Sequence, residues 1–329
     1  MLTDSFKPVL DRDRAIESTS GLMEVISPML REAVNYSTWA FARIVETGPA
    51  SMHKAAFVAP VVLFRHIIEV TDAIEVALSN SCVHPAKMML RGSFEAMLAV
   101  QYICNEDVER RALAWLYNNV RNRMERHKAI QAGKLSDDLM REIDDELLAR
   151  VEEELQRFRT LRDAPYLQEV HKAAQASGRR WRWHSLWNGP KNLWELARHL
   201  DRLDDFELLY RQWSGEVHAS SGLRKTFHVG QDGRQSIIPI RSPVDMKIVA
   251  DKARSYLLYV LLAIIDGFRP GEEAGRAEWH RNVMMPLKQK FRNVSFTFKV
   301  TPYEWQEEDQ RRLREKRDEQ ESVDAVRDA

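Results

Sequence analysis

The chain has 329 residues, with 49 Lys+Arg against 49 Asp+Glu and a formal net charge of zero. That length carries one large domain or two small ones around a sizeable core, and the neutral balance argues against a dedicated DNA binder. Two cysteines without a Cys-x-x-Cys pair exclude a zinc ribbon or dithiol motif, and the longest strongly apolar run, Tyr256 to Ile265, falls well short of the ~20 residues of a membrane span.

Helical periodicity dominates from the start. Thr19 to Glu46 reads as a first long helix with a potential break at Pro28. Phe57 to Asn80 follows, with Val61, Phe64, Ile67, Val70, Ile74 and Leu78 at three- and four-residue steps. A helix opening near Pro85 carries Met88, Phe94 and Met97 and ends near Asn105. The next spans Val108 to Ala132, stopped by Gly133. Ser136 to Arg162 is highly charged, with a narrow apolar stripe of Ile143, Leu147, Val151, Leu155 and Phe158; such a stripe suits a protruding hairpin arm or a dimer contact.

Gly178 to Trp194 differs in kind. Trp181, Trp183, Trp187 and Trp194 alternate with Arg179, Arg180 and Arg182, which reads as an ordered loop leading into a helix over Lys191 to Leu200. Arginine with tryptophan can stack on nucleic-acid bases; it can equally pin a loop over a core. Asp204 to Leu223 is the next expected helix, and 226–240 changes period to suggest a small β-hairpin. Ser242-Pro243 opens a helix to Phe268, and another covers Arg276 to Arg292. After Thr301-Pro302 the chain is almost wholly charged and is expected to be a solvated helical tail. The expected architecture is all-α: a multi-helix bundle with a small β-hairpin insertion and a charged C-terminal helical tail. Its parts are an N-terminal helical segment over 1–56, a main bundle over 57–300 and the tail over 301–329.

No phosphate-binding loop, HExxH or GxSxG motif is present. Glu69 and Asp72 share a face but have no histidine partners, so no metal and no cofactor is expected. Arg91 and Glu95 lie four residues apart on an otherwise apolar helix and form either an ion pair or a polar cluster in the bundle. Arg211, Ser214 and His218 fall on one side of the expected 204–223 helix, beside Tyr210 and Gly215. An arginine can bind an anion there, and a histidine can exchange a proton near neutral pH.

Arg91-Gly-Ser-Phe-Glu95, the tryptophan-rich loop and Tyr210-Arg-x-x-Ser214-x-x-x-His218 followed by Ala-Ser-Ser resemble a bacterial all-helical family of unknown function over roughly 57–265. Arginine and histidine with four to six residues between them also resemble the HEPN superfamily, which includes dimeric, metal-independent RNases of toxin–antitoxin and antiphage systems. That resemblance implies Arg211 on the scissile phosphate and His218 as acid/base. Arg121 and His127 form an alternative motif, and Arg179 with His184 a third such pair. The expectation is a HEPN-like defence or toxin-type protein, an endoribonuclease in its catalytic form. It would be cytoplasmic, with no membrane, and a homo-oligomer, with RNA and an operon-encoded protein as partners. The alternative is a non-catalytic helical binding or scaffold module with a structural polar core.

Overall fold

Among the described residues, the strongly periodic apolar segments are helical. The computed structural model describes residues 10, 12–48, 54–132, 145–178, 181–213, 227–229, 235–237, 240–269 and 271–296. Helix α1 (Arg12–Glu17) leads into α2 (Ser20–Thr47), α3 (Lys54–Ser79), α4 (Val83–Asn105) and α5 (Val108–Gln131). Then come α6 (Asp145–Arg162), α7 (Gln168–Ala176) and α8 (Leu193–His199). Helix α9 runs over 203–213, with its turn Phe206–Tyr210 wound as a π-helix. Helix α10 is Met246–Phe268; α11 (Glu273–Trp279) continues through a second π turn, His280–Met284, into α12 (Met285–Asn293).

Helices α2, α3, α4 and α10 pack on one another, and α5 joins them against α3. One continuous core results. It runs from Leu22, Ile26 and Leu30 of α2 through Ile67 and Ile74 of α3 and Phe94 and Met97 of α4 to Leu257 and Ile264 of α10. Each such side chain contributes about 1.5–3 kcal/mol by leaving water. Glu75, a buried charge of α3, is satisfied: it accepts from Ser79 Oγ at 3.0 Å, from Arg31 Nε at 3.1 Å and from Ser27 Oγ.

Pro28 does not split the first long helix. Proline deletes one backbone donor and crowds the turn before it; here Ile26, Met29, Leu30 and Ala33 are buried on either side and hold the helix through it. Helix α6 packs on α5 through a separate small cluster, Val120, Met124 and Leu155, with Phe158 and Leu161 at its edge. The described part of the narrow stripe, through Leu155 and Phe158, thus lies along the outer part of α5, as a hairpin arm would place it.

The β-hairpin insertion expected over 226–240 is not supported as such. What the structure gives there is β1 (Phe227–Val229) paired antiparallel with β2 (Gln235–Ile237), His228 opposite Ser236. Three residues per strand is too little to hold a two-stranded ribbon independently. The tail over 301–329, the start of the charged helix over 136–144 and the end of the expected 204–223 helix lie outside the described residues.

Candidate functional site

The polar group of interest forms where α9 crosses α4. Helix α4 buries Leu90, Phe94 and Met97 in the core, so Arg91 and Glu95, one turn apart, come out together on its flank. The π turn of α9 supplies Tyr210. Its ring stacks on Phe206 at 5.1 Å between centroids and meets Phe94 at 5.5 Å. Its hydroxyl donates to Glu95 Oε1 at 2.7 Å and accepts from Arg91 Nη2 at 2.9 Å. Arg91 and Glu95 themselves stand 3.6 Å apart, and the Arg91 guanidinium also lies 4.7 Å from the centre of the tyrosine ring. Burial, then the hydrogen bond to Glu95, raises the Tyr210 hydroxyl above its usual pKa. It is a neutral bridge between two charges.

Helix α9 is anchored on both sides. Lys252 of α10 pairs with Asp205, and Arg202 lies over the Tyr259 ring at 4.1 Å. A π turn widens the helix by one residue and is found most often where a helix must re-aim a side chain. Here it gathers Phe206 and Tyr210 on the side facing α4.

Arg211 faces elsewhere. Its side chain is 73% exposed and its Nη1 donates to Glu207 Oε2 at 3.0 Å. Glu207 also accepts from Trp194 Nε1 at 2.9 Å. The sequence reading missed Glu207, although its position four residues before Arg211 was the available signal. Ser214, Gly215 and His218 lie outside the described residues.

The alternative pair is divided between two neighbours. Arg121 stacks on Trp181 at 4.1 Å. His127 accepts or donates at Glu154 Oε2 of α6 at 2.7 Å and at the Arg123 carbonyl at 2.8 Å. Six residues of helix turn the two side chains far apart in direction.

The tryptophan segment is a pinned cap. Arg110 covers Trp187 at 4.5 Å, Arg198 lies 5.7 Å from Trp194, and Trp183 meets Tyr102 edge-on. Trp187 and Trp194 thus each carry one of the chain's own cations on the ring. His184 is buried and donates to the Pro190 carbonyl from Nδ1 at 2.6 Å; burial pulls its pKa down. Gly189 passes so close that an added Cβ would sit 2.2 Å from the His184 carbonyl oxygen and 2.6 Å from the Tyr102 hydroxyl.

No group of three or more His, Cys, Asp or Glu side chains able to hold a metal occurs among the described residues. Glu69 is instead paired with Arg65 at 2.7 Å. A cavity of about 440 Å3 beside Gln101, His199 and Asp266 includes Cys104; burial pushes that thiol up to about 12, which keeps it protonated and unreactive. No described helix is long and apolar enough to cross a membrane.

Compared with known proteins, the chain matches no curated protein and no solved structure. None of the comparisons ties it to the HEPN superfamily. A family model does match, over residues 57–236, and that span contains Arg91, Glu95, the tryptophan cap and Tyr210 with Arg211. The chain belongs to the family of unknown function DUF5677.

Proposed function

We propose that the protein is a HEPN-like, metal-independent endoribonuclease of the defence or toxin type, with Arg211 binding the scissile phosphate and His218 exchanging the proton. One observation carries the choice of motif. Of Arg211 and Arg121, Arg211 is the one open to solvent, held by a single flexible carboxylate, Glu207, while Arg121 is stacked on Trp181 and its partner His127 is engaged with Glu154. A guanidinium free to leave a surface pair can take a phosphate bidentately. Arg91, Glu95 and Tyr210 then position the helix that presents it. Ser214 lies on the same side of the expected helix as a further donor to the phosphate.

Without a metal-activated water, the nucleophile is the ribose 2′-hydroxyl. His218 removes its proton, the 2′-oxygen attacks phosphorus, and the 5′-oxygen leaves with a proton. The products are a 2′,3′-cyclic phosphate and a 5′-hydroxyl. The facing-dimer arrangement of that superfamily makes a homodimer the expected working form. The test is cleavage of labelled RNA by the purified chain in excess chelator. Cyclic-phosphate ends are expected. His218→Ala is expected to slow the reaction by about 10²–10⁴-fold, the usual worth of an acid/base group, with Arg211→Ala also impaired and Arg121→Ala near wild type. Intact RNA with the wild-type chain sinks the proposal.

A second reading, a non-catalytic helical binding or scaffold module, is favoured by the pairing within the Arg91–Tyr210–Glu95 group, whose opposite charges face one another across the tyrosine hydroxyl, with only the Arg91 Nε–H left without an acceptor among the described residues. RNA or protein bound without cleavage, in the same assay, would select it.

A further inference from the structure

Arg254, Arg276, His280 and Lys288 line one cavity of about 280 Å3 between α10 and the α11–α12 pair. The second π turn, beginning at His280, helps to bring the last three onto one side. Cations do not gather without a counter-charge, and here carboxylates are too few. Asp251 accepts from Arg254 Nη2 at 2.7 Å, and Asp266 faces Arg276 at 3.7 Å. His280 and Lys288 have no ion pair among the described residues. Glu32, the nearby carboxylate of α2, accepts from Trp279 Nε1 at 2.7 Å instead.

Two donors point to what is wanted. The Arg254 side chain is only 4% exposed, yet its Nε–H has no acceptor among the described residues. The buried Nε–H of Arg276 likewise has none. A buried donor without an acceptor is costly and calls for a ligand oxygen. Burial, then the neighbouring cations beginning with Arg254, holds both His280 and Lys288 below their usual pKa values.

We infer that this cavity binds the dianionic phosphate of a small phosphomonoester. With His280 neutral, Arg254, Arg276 and Lys288 outnumber the two carboxylates by one, and a phosphate has enough oxygens to accept from both Nε–H groups together with Lys288 and His280, where a carboxylate has only two. The volume sits at the lower edge of the ~300–1,000 Å3 typical of ligand pockets, so the ligand is small. Leu258 and Trp279 offer an apolar wall for whatever carries the phosphate. The site lies beyond residues 57–236 and shares no residue with the Arg211 face, so it stands whether or not RNA is cleaved.

Titration calorimetry on the full chain at pH 7.5 in low-chloride buffer tests it, with inorganic phosphate, phenyl phosphate and phenol as probes. Saturable binding of phenyl phosphate is expected, with none of phenol; its strength relative to inorganic phosphate tells an esterified from a free source. Lys288→Gln and Arg276→Gln, both at partly exposed positions and checked for a wild-type melting profile, are each expected to weaken binding at least tenfold. Arg211→Gln should leave it unchanged. Absence of saturable binding by both anions, or binding that survives Lys288→Gln and Arg276→Gln, overturns the inference.

Discussion

Tyr210 shows what a single hydroxyl can do at a helix crossing. Tyr210→Phe keeps the ring on Phe206 and Phe94 but removes both bonds to the α4 charges. The expected loss is about 1 kcal/mol, since Glu95 remains half exposed and can recruit water; urea denaturation measures it, and a neutral result would mean that α9 is held by its rings alone. Gly189→Ala is expected to cost more, about 1–3 kcal/mol, from contact rather than from backbone dihedral, because backbone and the Tyr102 hydroxyl fill the space. His184 gives a pH dependence. Burial depresses its folded pKa below 6.5, so the unfolded chain takes the proton first on acidification. Its contribution is therefore complete above about pH 6.5 and is lost as pH falls through the lowered folded value. Melting temperature should drop as pH falls from about 7 through that lowered value, and less steeply in His184→Gln; His280 acts in the same direction, so some slope persists. The Arg91–Glu95 pair was legible because two charges one turn apart on an apolar helix must share a flank. That Tyr210 would bridge them was not, because periodicity fixes which residues share a face and not which helix lies opposite. Arginine–histidine spacing was weaker still: three pairs fit it in this chain, and Arg121 with His127 proves to be split between two neighbours.

At the scale of elements, α5 enters the main core through Ala112, Leu113, Ala114 and Tyr117, and its later part forms an arm with α6. The arm is held chiefly by one small cluster, and its outer face is a ladder of exposed pairs such as Arg157–Glu153 and Arg159–Glu152, each worth little. Leu155→Ala should cost about 2 kcal/mol, at the low end for a buried leucine, and the loss should be local. Hydrogen exchange is the measurement: amides of 145–162 should exchange faster while those of α3 and α10 stay protected. Equal loss across α3 would show that the arm and bundle unfold as one. The arm's stripe was readable from sequence. The two π turns were not, since an inserted residue leaves no signature in an apolar pattern that tolerates a step of three or four. Helix α7 was missed because nine residues with few large apolar side chains give too short a period to recognise.

For the whole molecule, the all-α class followed from length, charge balance and sustained periodicity, and α2 shares its core with α3, α4 and α10. One cooperative transition is therefore expected for the bundle, coincident by circular dichroism and fluorescence. Phe64→Ala, at a fully buried position, should lower its stability by about 3–5 kcal/mol. The tryptophan cap gives that experiment an additional use. Arg121 and Tyr117 of α5 both lie against Trp181, and Arg110 of the same helix covers Trp187. Indole emission responds to a cation moving on or off the ring, so the chain carries its own fluorophores at the root of the arm. Any event that shifts α5, whether a ligand, a partner or a second copy, should change the emission spectrum without a label.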